Sequence, residues 1–198
     1  MSSLLIAAVF LAVSLTATGQ ERRSGTRRVT QRNVIVRFFA FIGKPIKKEA
    51  FIEAVKLRGL TAAELIERIE TRGVSFRVND MTKAELRELG MPQSVVEIAA
   101  RSYRASENEV ARISVIADTL ASDYTAYSSG NRFYIVIPNS AASRYNQEKG
   151  SAAEVFDLQI QQRGADTVIS ARKSLGVHAR VEQSFNRIEA VFVRKSAH

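Results

Sequence analysis

Ser170-Ala171-Arg172-Lys173 is the one place where this sequence spells a nucleophile pattern. In Ser-x-x-Lys chemistry the lysine lies one helical turn beyond the serine, close to its hydroxyl, and later Ser-Asp-Asn and Lys-Thr-Gly segments complete the site. Here the serine closes residues 167–170, an alternating run that reads as a strand. Ser122-Asp123-Tyr124 precedes it, and no Lys-Thr-Gly occurs. Of the two histidines, His198 is the last residue and His178 falls in an expected turn after Gly176. No nucleophile elbow accompanies either one. With no cysteine, a Cys–His pair or a Cys/His metal site is excluded. Glu154 and Asp157 lie three apart, and Glu182 and Glu189 flank an expected hairpin. Glycoside hydrolysis needs two carboxylates fixed across a cleft, and a chain without tryptophan offers a sugar little platform. No Gly-rich phosphate loop is present. The expectation is a protein that is not an enzyme, with no catalytic residues, no cofactor and no metal.

What remains is surface chemistry. Tyr124, Tyr127, Phe133, Tyr134 and Tyr145 cluster within one short stretch. Strand alternation puts Phe133, Ile135 and Ile137 on one face, and Tyr134 with Val136 on the other. With Phe133 inward, Tyr134 faces out and can join Tyr124 or Tyr127 in a glycan or partner surface. Arg132 and Arg187 lead two similar strands, which makes the candidate binding surface Tyr124, Tyr127, Tyr134, Arg132 and Arg187. A second candidate is electrostatic. The net charge is +9, of which residues 21–37 carry +5 and the rest only +4. Arg22, Arg23, Arg27, Arg28 and Arg32 therefore form a basic arm suited to an anionic surface such as lipid headgroups or wall polymers.

These residues need elements to position them. Residues 4–15 are an uncharged run too short to cross a core of about 30 Å as a helix. Ala17 and Gly19 supply the small side chains that a signal peptidase accepts, so the start reads as a secretory signal cleaved near Gly19, or else retained as an anchor. Residues 20–43 then form the arm and lead-in, and residues 34–42 read as a strand or the approach to a first helix. Residues 44–104 read as a small bundle of three or four helices. Pro45 suits a first turn, and Gly59, Gly73 and Gly90 mark ends. Thr61-Ala62-Ala63-Glu64 and Thr82-Lys83-Ala84-Glu85 spell two capping boxes. From 105 to 198 the pattern changes to short alternating runs separated by turn residues, with residues 139–153 as a polar loop. The fold expected is α+β: a small helical bundle followed by a small antiparallel β-sandwich or sheet.

Asn131-Arg132-Phe133-Tyr134-Ile135-Val136-Ile137 and Asn186-Arg187-Ile188-Glu189-Ala190-Val191-Phe192 share the frame Asn-Arg-apolar-x-apolar-Val-apolar, a trace of a duplicated half-sheet. Together with residues 124–127 and 156–160, these strands make residues 110–194 resemble the AMIN domain, a small β-sandwich found before cell-wall amidases and at the start of some secretin subunits. Ile137-Pro138 departs from that family's usual Asp or Asn-Leu ending. Arg72-Gly73-Val74-Ser75-Phe76, followed by residues 86–90, resembles a small helical module of exported proteins and receptor-like kinases of soil bacteria. The AMIN resemblance implies a module that binds peptidoglycan or an envelope partner, with no catalytic residues to carry over.

Export without cysteine fits a bacterial periplasm or cell exterior, with no membrane span after cleavage, and argues against nucleic acid as a partner. The function expected is an envelope binding or scaffolding protein. The alternative is an accessory subunit whose sheet pairs edge to edge with another protein, a contact that proline within residues 135–137 would break.

Overall fold

A computed structural model describes residues 31–57, 59–146 and 153–195. The signal segment, Arg22, Arg23, Arg27, Arg28 and His198 lie outside them. The fold is α+β: β1 (Arg32–Ala40), then α1 (Lys48–Lys56), α2 (Ala62–Arg72), α3 (Asp80–Glu88) and α4 (Gln93–Arg101). There follow β2 (Glu109–Ala117), β3 (Thr125–Ser129), β4 (Arg132–Ile137), β5 (Ser140–Asn146), β6 (Val155–Arg163), β7 (Asp166–Lys173), β8 (Val177–Ser184) and β9 (Arg187–Arg194). A five-stranded sheet runs β5-β1-β2-β9-β8, and a four-stranded antiparallel sheet runs β3-β4-β7-β6.

Strand alternation builds the core between the sheets. Val34, Val36 and Phe38 of β1 point inward, as do Ile113 and Val115 of β2, and Ile188, Ala190 and Phe192 of β9. Phe133, Ile135 and Ile137 of β4 and Ile169 of β7 face them from the other sheet. Phe133 meets Phe192 edge to face, with ring centres 5.5 Å apart. Each valine, isoleucine or phenylalanine so buried contributes about 1.5–3 kcal/mol.

Three sequence expectations are corrected here. Residues 34–42 supply β1, which lies between β5 and β2, so the β-sheet structure is not confined to residues 105–198. The helices are an insertion between two strands that pair with each other, Ala40 opposite Ala111. The polar loop expected over 139–153 contains β5, which pairs parallel with β1 and makes its sheet mixed rather than antiparallel. Asn139, at φ +48°, turns the chain from one sheet to the other. Finally, His178 belongs to edge strand β8, not to a turn.

The helices have their own core of Phe51, Leu65, Ile69, Val74, Leu86, Val95 and Val96. The first capping box forms: Glu64 N–H donates to Thr61 Oγ1 at 3.3 Å, and Thr61 N–H donates to Glu64 Oε2 at 2.8 Å. The second does not. Asn79 accepts from Thr82 N–H at 2.9 Å and starts α3 one turn earlier, leaving Thr82 inside the helix. Pro45 likewise sits ahead of α1, whose cap is Lys47.

The neck of the insertion converges on Arg104, a fully buried side chain. Its Nη1 donates to the Gly43 carbonyl at 2.6 Å and to the Arg72 carbonyl at 3.1 Å; its Nη2 donates to the Glu107 carbonyl at 2.5 Å. The guanidinium also lies over the Phe41 ring, 5.3 Å from its centre. Ile46, Val74 and Tyr103 form parallel bridges beside it. Gly73, at φ +70°, allows this approach, because a Cβ there would stand 2.9 Å from both Arg104 Cβ and the Ser102 carbonyl oxygen.

Gly73→Ala is expected to cost about 3 kcal/mol in urea unfolding, combining backbone strain with overpacking. Gly90→Ala, also at positive φ but in open space, should cost about 1 kcal/mol. Equal costs would remove the close approach as the cause. Arg104→Lys should lose about 2–3 kcal/mol, since one ammonium cannot match a planar fork bonded to three carbonyls. Thermal unfolding within about 0.5 kcal/mol of wild type would refute that reading.

Candidate functional site

The outer face of the four-stranded sheet is where sequence and geometry meet. β3 and β4 pair with Tyr127 opposite Tyr134, and the two rings stack with centres 5.0 Å apart and planes 14° from parallel. Tyr127 is nearly half exposed, while Phe133 on the other side of β4 is buried. The alternation read from the sequence therefore places Tyr134 on the outer face.

A bulge in β6 adds a carboxylate to this face. Pairing with β7 shifts between Phe156 and Gln159, and Asp157 takes φ +53°, which an Asp tolerates better than most residues. Its Oδ2 receives Arg132 Nη2 and lies 3.3 Å from Arg172 Nε. Gln159 Nε2 donates to Oδ1 at 2.9 Å. The network extends in both directions. Arg132 Nη1 bonds Ser170 Oγ at 3.0 Å; Gln161 donates to Gln159 at 3.3 Å, and Arg163 donates to Gln161 at 3.2 Å. The Gln159 hydrogen bond, then the bond and charge of Arg132, hold the Asp157 carboxyl below its ordinary range. The result is a stacked aromatic pair beside a row of amide and guanidinium groups oriented by one another, suited to a flat polar ligand with an apolar face.

Of the candidate surface, this face brings together Tyr127, Tyr134 and Arg132. Tyr124 packs against the inter-sheet core. Arg187 heads the matching strand of the other sheet, so it lies on the opposite side of the sandwich. Of the candidate arm, only Arg32 is described, and it is not a free charge: its guanidinium makes a two-pronged bond to Asp123 at 2.6 and 2.5 Å. Ser170 and Lys173 both lie on β7, three residues apart and so on opposite faces. Lys173 Nζ donates to the Val177 carbonyl at 3.1 Å, which separates the pair chemically as well. The sequence reading weighed Asp157 only as one of an acid pair with Glu154 and left it, Gln159 and Gln161 out of the candidate binding surface; the only local signal for the two glutamines was the alternation Gln159-Ile160-Gln161.

Among the described residues, no group of three or more His, Cys, Asp or Glu is placed to hold a metal ion. No helix there is long and apolar enough to cross a membrane. Comparisons of the chain with protein-family models, curated proteins and solved structures return no match.

The Asp157 network has a pH signature. Because its folded-state pKa is lowered from the ordinary value of 3.8, its stabilisation is present above that value and is lost as pH falls through the lowered one. The Gln159 side-chain amide resonances should titrate with a midpoint below 3.8, and Asp157→Asn should abolish the step. A midpoint at or above 3.8 would contradict the network.

Proposed function

We propose that this is an exported, non-enzymatic binding or scaffolding protein of the bacterial cell envelope, and that the tyrosine face of its four-stranded sheet engages peptidoglycan. The observation that carries the reading is the Tyr127–Tyr134 stack on a sheet face that neither the helices nor the second sheet covers. Rings at the surface offer an apolar plane to the C–H face of a sugar. Arg132, Gln159 and Gln161 beside them offer donors and acceptors to its hydroxyl, amide and carboxylate groups. The AMIN resemblance points to the same ligand, and the basic segment before β1 adds a salt-sensitive attraction to the wall.

The accessory-subunit reading needs a free edge. Residues 135–137 lie in β4, an interior strand flanked by β3 and β7, so they are not available for pairing with another protein. The edges are β3, β6, β5 and β8. β6 carries the Asp157 bulge, and β8 carries the Arg180–Glu182 pair, features that discourage strand addition.

The test is co-sedimentation of the full chain with purified peptidoglycan at low and moderate salt. Tyr127→Ala/Tyr134→Ala should weaken pelleting about tenfold at both salts, equivalent to about 1.4 kcal/mol. Replacing Arg22, Arg23, Arg27 and Arg28 by Gln should reduce it only at low salt. Absence of pelleting, or pelleting indifferent to the tyrosines, would overturn the assignment.

A further inference from the structure

The five-stranded sheet also has an outer face, and the helical insertion stands over part of it. Alternation sends Ile35, Arg37 and Phe39 of β1 away from the inter-sheet core. The registers then align cross-strand rows. One runs Arg37–Ser114–Glu189–Glu182, and the next runs Phe39–Arg112–Val191–Arg180. Arg187 lies in the row on the other side. The end of α4, Tyr103, and the segment entering α3 face these rows across a groove of about 730 Å³, a volume in the range of small-ligand sites.

Cations in this groove outnumber its carboxylates. Arg77, Arg101, Arg112, Arg180 and Arg187 line it, and Arg37 lies within electrostatic reach of Arg101 and Arg187. Three carboxylates answer them. Arg112 is held by Glu109 at 2.6 Å and approaches Glu189 at 3.7 Å; Arg180 pairs with Glu182 at 3.2 Å, and Arg187 is 3.7 Å from Glu189. Among the described residues, no carboxylate comes within ion-pair distance of Arg37, Arg77 or Arg101. Arg77 lies over the Tyr103 ring, 4.8 Å from its centre, and Arg101 Nε donates only to a carbonyl of its own helix. Arg37 is half-buried, and its proton affinity is depressed first by burial and then by Arg101 and Arg187. Like charges gathered in a partly dry groove raise the energy of the empty protein, and an anion would relieve them.

We propose that this groove is a binding site for a phosphate-bearing ligand, gripped by Arg101 and Arg187, with Arg77 and Tyr103 forming the far wall and Arg37, on the same sheet face beside the lining, adding positive charge. A phosphate fits better than a carboxylate, because its tetrahedral oxygens can take guanidinium forks from a helix end, a strand and the segment entering α3 at once. A carboxylate lies in one plane and serves one or two. The same chemistry is offered by a lipid headgroup and by a soluble phosphate ester. The site is independent of the tyrosine face on the opposite sheet.

The test is calorimetric titration of the full chain with inorganic pyrophosphate at constant ionic strength set by chloride. Saturable binding of one pyrophosphate per chain is expected. Arg37→Gln and Arg101→Gln should each weaken it at least about tenfold. Arg27→Gln/Arg28→Gln and Tyr127→Ala/Tyr134→Ala should leave it unchanged, which separates this site from the basic arm and from the peptidoglycan reading. Arg37→Gln should also raise the melting temperature of the empty protein by about 2 °C, because it removes a repelled charge. A purely structural arginine would lower it. Vesicles containing phosphatidylglycerol, compared with pure phosphatidylcholine, identify the source. Capture that depends on Arg37 assigns a headgroup, and pyrophosphate binding without such capture assigns a soluble ester. No saturable heat, binding lost with the arm variant alone, or both groove variants binding as wild type would overturn the proposal.

Discussion

Arg104 holds together three points where the chain would otherwise part. Gly43 follows β1, Arg72 ends α2, and Glu107 precedes β2; the carbonyls of all three accept from one guanidinium. The insertion leaves and re-enters the sheet on neighbouring strands, so without a fixed neck it could swing about a narrow hinge. A buried cation bonded to three carbonyls resists that motion, because any opening would leave polar groups in a dry environment. The carboxylate of Glu109 lies close by and compensates part of the buried charge. Burial raises its own pKa, while Arg112 and the Ala105 N–H act in the opposite direction. The cost of burying these groups is spread over one connected cluster. The direction in which α4 points over the sheet depends on that cluster.

The two sheets present the same inner chemistry and different outer chemistry. The shared frame of β4 and β9 makes this visible position by position. Phe133, Ile135 and Ile137 correspond to Ile188, Ala190 and Phe192, and all six are buried in the common core. On the outside, Arg132 corresponds to Arg187, but Tyr134 corresponds to Glu189. That one difference separates the two surfaces. Tyr134 meets Tyr127 across the strand pair and makes an aromatic plate. Glu189 meets Glu182 across its own pair and is balanced by Arg112 and Arg187.

Legibility in the sequence followed locality. The capping box at Thr61 and the alternation of β4 were readable because three to seven adjacent residues determine them. Asn79 outcompeted Thr82 because a cap one turn earlier satisfies the Thr82 N–H and leaves Leu86 buried, a choice that both sequence patterns allow. β5 was hidden because Ser140, Ala141, Ala142 and Ser143 have weak strand preference; the strand is imposed by parallel pairing with β1, a long-range contact. The first half of β8 was hidden because, as an edge strand, it carries His178 and Arg180 on its outward side; its end was legible as one arm of the hairpin flanked by Glu182 and Glu189. Nothing in its sequence neighbours sets Arg104 apart from the other arginines. Its role depends on carbonyls as far away as Gly43, 61 positions back in the chain. Apart from Arg187, picked out by the repeated Asn-Arg frame, the arginines of the groove were unreadable for the same reason, since a search for charge runs finds neighbours in sequence and these are neighbours only across strands and helix.

The two outer faces also differ in how completely their polar groups satisfy one another. On the tyrosine face, donors run in series from Arg163 through Gln161 and Gln159 to Asp157, which also accepts from Arg132. Such a face is already ordered, so a ligand spends little on fixing side chains and gains mainly by covering apolar ring area, a term that salt hardly changes. Around Arg37 the balance is reversed. The repulsion among Arg37, Arg101 and Arg187 is present before any ligand arrives; Glu189, 3.7 Å from Arg187, offsets part of it, and an added negative charge would offset more. Attraction of that kind is screened over about 8–10 Å at physiological salt. Ligands bound on opposite sides of the sandwich would therefore respond differently to ionic strength, and the Arg104 neck holds the groove's helical wall over the five-stranded sheet, away from the tyrosine face.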